Sequence, residues 1–444
     1  VEAFSKHLQK LRGRDDLVTS TANHTSITMN RKANLRLKLL TCGPFVTRRR
    51  SGQRPSDRLQ PVPLRADDRY GMRSSPISRL RLGLAAACLG ALVFVSSATA
   101  AVSALPSAQT YPPPTGTVFQ GVATKPVSAY TNTAHKHPAI YQEFVAWGQW
   151  LPGITVDAST NRSRLMIEIT TAYGSKNRIT LRGIADGSGD AWLIGLAQQL
   201  AASKNITYVR LMAEMNNCNN PYAADNCDGS SRGSAYTASE FKQAWRRATL
   251  IFRGGSVSAI NVELSQLGMR RLRTGETTLA TPDVSMTWVP MVGGSPDVPG
   301  LQPGVYFPGK QWVDWVGTDF YSRYPNWAGL EQFYNDYPDY PFLFGEYAIW
   351  DGDNPGWVRT LFSWVNTHRR TQMLVYNDAS PDFWLSHFPA SAAALSKALA
   401  DPRFPSYAPE WAHTSALVAA VRRSNKHRSS KHRSGKRRSR NRRR

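Results

Sequence analysis

The chain has 444 residues, 41% of them hydrophobic and 10% aromatic, which is enough apolar material to bury a full-sized core. Its formal net charge of +24 would suit a nucleic-acid binder only if the Lys and Arg residues lay on the folded part, where they could displace counterions. They lie at the ends instead: residues 1–81 carry 18 Lys/Arg against 6 Asp/Glu, residues 422–444 carry 13 with no acid, and residues 82–421 hold 24 basic against 25 acidic residues. No nucleic acid is expected on the folded domain.

Taken in chain order, residues 1–71 are Arg-rich, lack sustained periodicity and read as unstructured or as a spurious upstream extension. Between Met72 and Ala104, Arg73, Arg79 and Arg81 precede the apolar run LGLAAACLGALVFV, and the small residues SSATAAVSA follow it. This is the three-part layout of a secretory signal peptide; a membrane-spanning helix needs about 20 apolar residues. Residues 105–117 read as a Pro-rich extended linker, and the folded unit is expected over 118–404, with a C-terminal extension from 405. Of four cysteines, Cys218 and Cys227 fall in the folded unit, where an even pair in an exported chain implies a disulfide. No Cys/His cluster suggests a metal, and no cofactor is expected.

Across the folded unit, short β-branched or aromatic runs alternate with longer amphipathic stretches. Strands are expected at 118–123, 154–158, 165–170, 208–214, 284–291, 313–321, 341–349 and 372–378. Helices are expected at 138–149, 190–203, 238–253, 327–336, 355–368 and 391–400. This pattern predicts an α/β chain folded as a (β/α)8 TIM barrel, a fold of about 250 residues. An open doubly wound sheet is disfavoured because no GxGxxG follows the first strand.

In such a barrel the reactive groups gather at the carboxyl ends of the strands. Glu214 ends the fourth predicted strand and Glu346 lies in the seventh, so their side chains are expected to converge across the mouth. Glycoside hydrolysis needs two carboxyls in different protonation states, one to protonate the leaving oxygen and one to attack or activate water. Five tryptophans (288, 315, 327, 350 and 357) lie on or near strand ends. Sugar CH faces pack on aromatic rings, and Trp288 and Trp350 are the two expected to touch substrate. Asn377 offers a hydrogen bond to a hydroxyl or a turn role.

Three other patterns are set aside. Gly229–Gly233 spells GSSRG but lacks the strand–turn–helix context of a nucleophile elbow. Residues 304–310, GVYFPGK, resemble a P-loop without the leading strand or the metal-binding hydroxyl. Residues 351–354, DGDN, read as a turn before a helix beginning at Pro355.

Three motifs in order, VRLMAEMNN, YFPGKQWVDWVGTDFY and FLFGEYAIW, resemble glycoside hydrolase family 26, a family of retaining endo-β-1,4-mannanases on a (β/α)8 barrel. The resemblance implies Glu214 as general acid/base, Glu346 as nucleophile, Tyr321 as the hydroxyl orienting it, and Arg210, Asp319 and Asn216 as supports or substrate contacts. It also implies carboxyls about 5–5.5 Å apart, as retention requires. The chain departs from the family where a His should precede the acid/base, having Ala213, and where a Trp should follow the Asn, having Asn217 and Cys218. The expected substrate is a polysaccharide, β-mannan first and then mixed-linkage β-glucan or β-xylan, acted on by a secreted monomer. The rival is a barrel that binds polysaccharide without turnover. Residues 422–444 cannot bury a core, so their charge is expected to contact an anionic cell-wall polymer.

Overall fold

The strands of this chain are buried on both faces, as parallel strands covered by helices must be, so most show no polar alternation. The computed structural model describes residues 107–174 and 176–412. The expected signal segment, residues 1–71 and the tail 422–444 lie outside the described residues. Eight strands close into an all-parallel barrel in chain order: β1 Phe119–Ala123, β2 Ile140–Ala146, β3 Arg164–Thr170, β4 Thr207–Leu211, β5 Val284–Trp288, β6 Trp315–Tyr321, β7 Phe342–Ala348 and β8 Thr371–Asn377. This is the expected (β/α)8 architecture.

Helices cover the outside: α1 Val127–Ala134, α2 Pro152–Thr160, α3 Asp190–Ser203, α4 Ala238–Arg253, α5 Val257–Gln266, α6 Trp327–Asp336, α7 Pro355–Thr367 and α8 Pro389–Leu399. The segment α4 shows why the sequence sets its own ends: Thr237 accepts from the Glu240 amide at 3.2 Å, and Gly254 stops the helix at φ 66°. After β5 the chain makes short 3-10 turns instead of an α-helix, at Pro299–Leu301, Pro303–Tyr306 and Lys310–Trp312. The P-loop-like GVYFPGK falls in these turns, and Lys310 pairs with Asp339 at the surface, 2.7 Å away.

One part of the expected order is reversed. Residues 138–149 read as a helix but contain β2, and 154–158 read as a strand but lie within α2. Both are short apolar runs, which periodicity alone does not separate. Pro152 fits the first turn of α2, and Ile154, Thr155 and Ala158 form its buried face. Moving the strand upstream also makes room for a full helix before β3.

The barrel floor extends beyond the expected domain limits. Trp315 Nε1 donates to the Thr110 carbonyl at 2.6 Å, and the Tyr208 hydroxyl and Arg164 Nη1 donate to the Tyr111 carbonyl at 2.6 and 2.7 Å. Arg164 also pairs with Glu410 at 2.8 Å. Part of the expected linker and the start of the expected extension therefore close the bottom of the barrel, leaving the opposite end open. Among the described residues, no helix is long and apolar enough to cross a membrane.

Candidate active site

The open end is built around a buried cation. Arg210 projects from β4 into the barrel and is wholly buried. Its Nη2 donates to both Asp319 oxygens at 2.8 and 2.6 Å, and its Nη1 donates to Glu346 Oε1 at 2.9 Å and lies 3.1 Å from Glu168 Oε2. Burying a guanidinium costs several kcal/mol unless anions surround it; here carboxyls from β3, β6 and β7 do so.

Glu346 reaches this cation because β7 is irregular. Thr318 of β6 pairs with Phe344, but the next residue, Asp319, pairs with Glu346, so Gly345 bulges out of register. The bulge turns Glu346 inward, whereas Tyr347 packs outward against Phe362 of α7. Only glycine fits at 345, because a Cβ there would lie 2.8 Å from both Arg210 Nε and Asp319 Oδ1.

Four donors hold the Glu346 carboxylate. Arg210 and Gln142 Nε2, the latter at 3.3 Å, donate to Oε1; the Tyr321 hydroxyl and Asn377 Nδ2, the latter at 2.8 Å, donate to Oε2. Burial pushes its pKa up, but the Arg210 charge and these hydrogen bonds outweigh burial and hold it below the ordinary value. Glu346 is thus an oriented anion.

Glu214 is placed differently. The strand expected to end on it stops at Leu211, and Glu214 stands in the following turn at φ 50°, its amide donating to the Val289 carbonyl at 2.7 Å. Asn217 Nδ2 donates to Glu214 Oε2 at 2.9 Å. Burial pushes this carboxyl up to about 7, with the Glu346 charge adding and the Asn217 hydrogen bond opposing. Below about pH 7, two glutamates that face the same cleft are therefore held in opposite protonation states.

The cleft is a cavity of about 570 Å³ lined by Glu168, Glu214, Asp319 and Glu346 at its base. One wall is aromatic: Trp350 packs edge-on against Tyr324 and Phe383, with ring centroids 5.6 and 5.2 Å apart, and Tyr324 is 55% exposed. The lining is also amide-rich, carrying Asn217, Asn219 and Asn220 on the loop after β4. The expected disulfide closes that loop, Cys218 to Cys227 with Cα atoms 5.0 Å apart. Arg232 braces it by donating to the Cys218 and Asn220 carbonyls.

Three expected substrate contacts, Trp288, Asn216 and Arg210, do not line the cleft. Trp288 is fully buried beneath α6 between Phe307 and Tyr337, both 5.1 Å away by ring centroids, because its position on β5 points outward. Asn216 is also fully buried, and its amide is spent on the backbone, exchanging bonds of 3.0 and 2.9 Å with Met291. It fixes the loop after β5 rather than presenting itself to a ligand. Arg210 supports the site from below without lining the cleft, whereas Asp319, Tyr321 and Trp350 line it. The sequence reading missed Glu168, Gln142 and Tyr324; an acid in the buried run LMIEIT was the available signal for Glu168.

The remaining motifs resolve as local structure. Asp353 accepts from the Ala390 and Ser391 amides at the start of α8, at 2.8 and 2.7 Å, and Asn354 caps α7 through the Trp357 amide at 2.9 Å. The GSSRG run lies in the loop that carries the disulfide, with no strand leading into it. Among the described residues no group of three or more His, Cys, Asp or Glu is arranged to hold a metal ion, and the positive charge beneath the carboxyls is Arg210.

Fold and site together define a parallel eight-stranded barrel with a carboxyl cluster at the carboxyl ends of its strands. No family model matches the chain, and no curated protein matches it. Among solved structures, it is similar to a GH26 β-mannanase from Bacteroides ovatus, at 13% identity over 65% of this chain and 90% of that one, with a TM-score of 0.43. It is also similar to GH26A from Muricauda sp., at 14% over 65% and 91% with a TM-score of 0.42. A mannanase of Bacillus subtilis aligns at 14% identity over 65% and 87%, with a TM-score of 0.39.

Proposed function

We infer that this chain is a retaining endo-acting β-glycan hydrolase, with β-mannan as its leading substrate and mixed-linkage β-glucan or β-xylan next. One observation carries the reading: Glu346, fixed by four donors, and Glu214, restrained by Asn217, share one open cleft. In the first step Glu346 attacks the anomeric carbon while Glu214 protonates the departing glycosidic oxygen. In the second step Glu214, now ionised, takes a proton from water, which displaces Glu346 from the sugar. Tyr321 and Asn377 on one oxygen and Arg210 and Gln142 on the other keep the nucleophile aimed throughout, the positioning on which such displacement depends.

Trp350 and Tyr324 supply the apolar faces that sugar rings pack against. The signal-like segment 72–104 and the disulfide support export, and the basic run 422–444 supports retention on an anionic wall polymer. Loss of wall retention on deleting 422–444 checks the tether. The hydrolase reading is tested by reducing-sugar release from β-mannan, β-glucan and β-xylan, with the anomeric form of the first product read by NMR. Release by the native chain but not by Glu214→Gln or Glu346→Gln, with retained configuration, is expected. Binding to a glycan without release by the native chain would leave a polysaccharide-binding barrel instead.

A further inference from the structure

The displacement just described has no step for Glu168, yet this residue is held against its centre. Glu168 projects from β3 into the cleft, its side chain 16% exposed. One nitrogen, Arg210 Nη1, contacts both Glu168 Oε2 and Glu346 Oε1, at 3.1 and 2.9 Å. The two carboxyls therefore crowd the same guanidinium nitrogen from neighbouring positions of the buried cluster. One guanidinium nitrogen offsets only part of the repulsion between two buried carboxylates, which favours keeping a proton on one of the pair.

The surrounding donors decide which partner holds it. Glu346 receives hydrogen bonds from Arg210, Gln142, Tyr321 and Asn377. Glu168 Oε2 has its ion-pair contact with Arg210 and no well-directed hydrogen bond. The other ionisable groups facing Glu168 are Glu214 from the turn after β4, Asp319 from β6 and Tyr222 from the disulfide loop, and Arg210 is the cation among them. Burial and the Glu346 charge favour a neutral Glu168, with Arg210 opposing.

We propose that Glu168 is a positioning residue that carries the shared proton and donates it in a hydrogen bond to Glu346, leaving the nucleophile as the anion of the pair. Arg210 then faces Glu346 as the anion of the pair and Glu168 as a neutral acid, and the attacking group is held from a fifth direction. Burial pushes the Glu168 carboxyl up to about 8, with Arg210 opposing and the Glu346 charge adding, in keeping with that assignment. The location of the proton stands independently of the hydrolase reading; its catalytic consequence rests on that reading.

Carboxyl-carbon NMR of the full chain, labelled at glutamate, reads the proton without substrate. The Glu168 signal, identified by its loss in E168Q or, should that variant not fold, in E168D, is expected to titrate above pH 7. In E346Q, which removes the neighbouring anion, it is expected to titrate at lower pH. A midpoint in the ordinary carboxyl range, or one unmoved in E346Q, overturns the proposal. On a cleaved glycan, E168A is expected to lower kcat roughly 10- to 100-fold by misplacing the nucleophile, with little change in KM. E168Q, isosteric with the protonated acid, should recover most of that loss, and E168Q as damaging as E168A would equally overturn the assignment. A high Glu168 midpoint in a chain that cleaves nothing would keep the proton where we place it and sink the hydrolase reading instead.

Discussion

Arg210 and Arg247 are both sealed from solvent, but they are buried in different company. Arg247, on α4, holds a single carboxylate: Asp190 accepts from its Nε and Nη2 at 2.7 and 2.6 Å, and the carbonyls of Arg270 and Arg271 take bonds of 2.7 and 3.1 Å. Charge is balanced there. Arg210 has Asp319, Glu168 and Glu346 around it, Glu214 within electrostatic reach, and an Nε with no partner. The first arrangement locks a helix layer in place; the second accumulates carboxyls around too little positive charge, so that protons are retained near neutral pH. An excess of acid over base in a buried cluster is what separates a site prepared for proton transfer from a structural ion pair.

The largest expected effect comes from removing the acids that the excess serves. Glu346→Gln should lower kcat by about 10⁴-fold or more, and Glu214→Gln by about 10²- to 10⁴-fold, both without loss of the folded barrel by circular dichroism. An aryl glycoside whose leaving group needs no protonation should restore much of the first-step rate to Glu214→Gln and none to Glu346→Gln. Equal losses on both substrates would break the division of roles between the two glutamates.

Next in size is the arginine comparison itself. Arg210→Met and Arg247→Met should each destabilise the fold by about 3–5 kcal/mol, because each leaves buried acid without its cation. The double variant Arg247→Met with Asp190→Leu should recover most of that loss in a urea melt, since a balanced pair is replaceable by apolar groups. No comparable second change rescues Arg210→Met, which strands three carboxyls. Activity per folded molecule should persist in the Arg247 double variant; its loss would show that the helix-layer pair also shapes the site.

The excess of acid also sets how stability varies with pH. Glu168 and Glu214 are pushed up to about 8 and about 7 in the folded chain, so between the ordinary glutamate value and these values the folded state binds more protons than the unfolded one. Their contribution is therefore fully present at low pH and is lost as pH rises through about 7 to 8, each unit being worth about 1.4 kcal/mol per group at most. Denaturation midpoints should fall from pH 5 to pH 8, and Glu168→Gln should flatten that slope. A midpoint that rises over this interval would contradict the retained protons.

What the sequence made legible follows the same divide. The barrel and the two acids near strand ends could be read because depth along a strand is encoded in where its apolar run stops. Facing direction is not encoded in that way. Trp288 ends β5, but Ser285 and Thr287 occupy the interior parity, so the indole points outward. Glu346 points inward only because Gly345 is skipped in the pairing with β6. Glu168 looked like one residue of a strand; it joins the site because β3 sets it beside Arg210 in register. The exchange of β2 and α2 arose from two short runs without alternation, which only packing could distinguish.

The smallest and most specific expectation concerns Asn217, which stands where the resembling family carries a different residue. Its amide donates to Glu214 Oε2 and so favours the ionised acid, against burial and the Glu346 charge that favour the protonated one. The proposed displacement requires Glu346 ionised and Glu214 protonated, so kcat/KM should fall as pH rises past about 7, where Glu214 loses its proton. Asn217→Ala removes the hydrogen bond favouring the anion, raises the Glu214 pKa and should move this alkaline limb upward. The acid limb, governed by Glu346 and its four donors, should hardly move. An alkaline limb that shifts downward in Asn217→Ala, or an acid limb that shifts with it, would mean that Asn217 shapes the cleft as a whole, and the independent tuning of the two glutamates would fail.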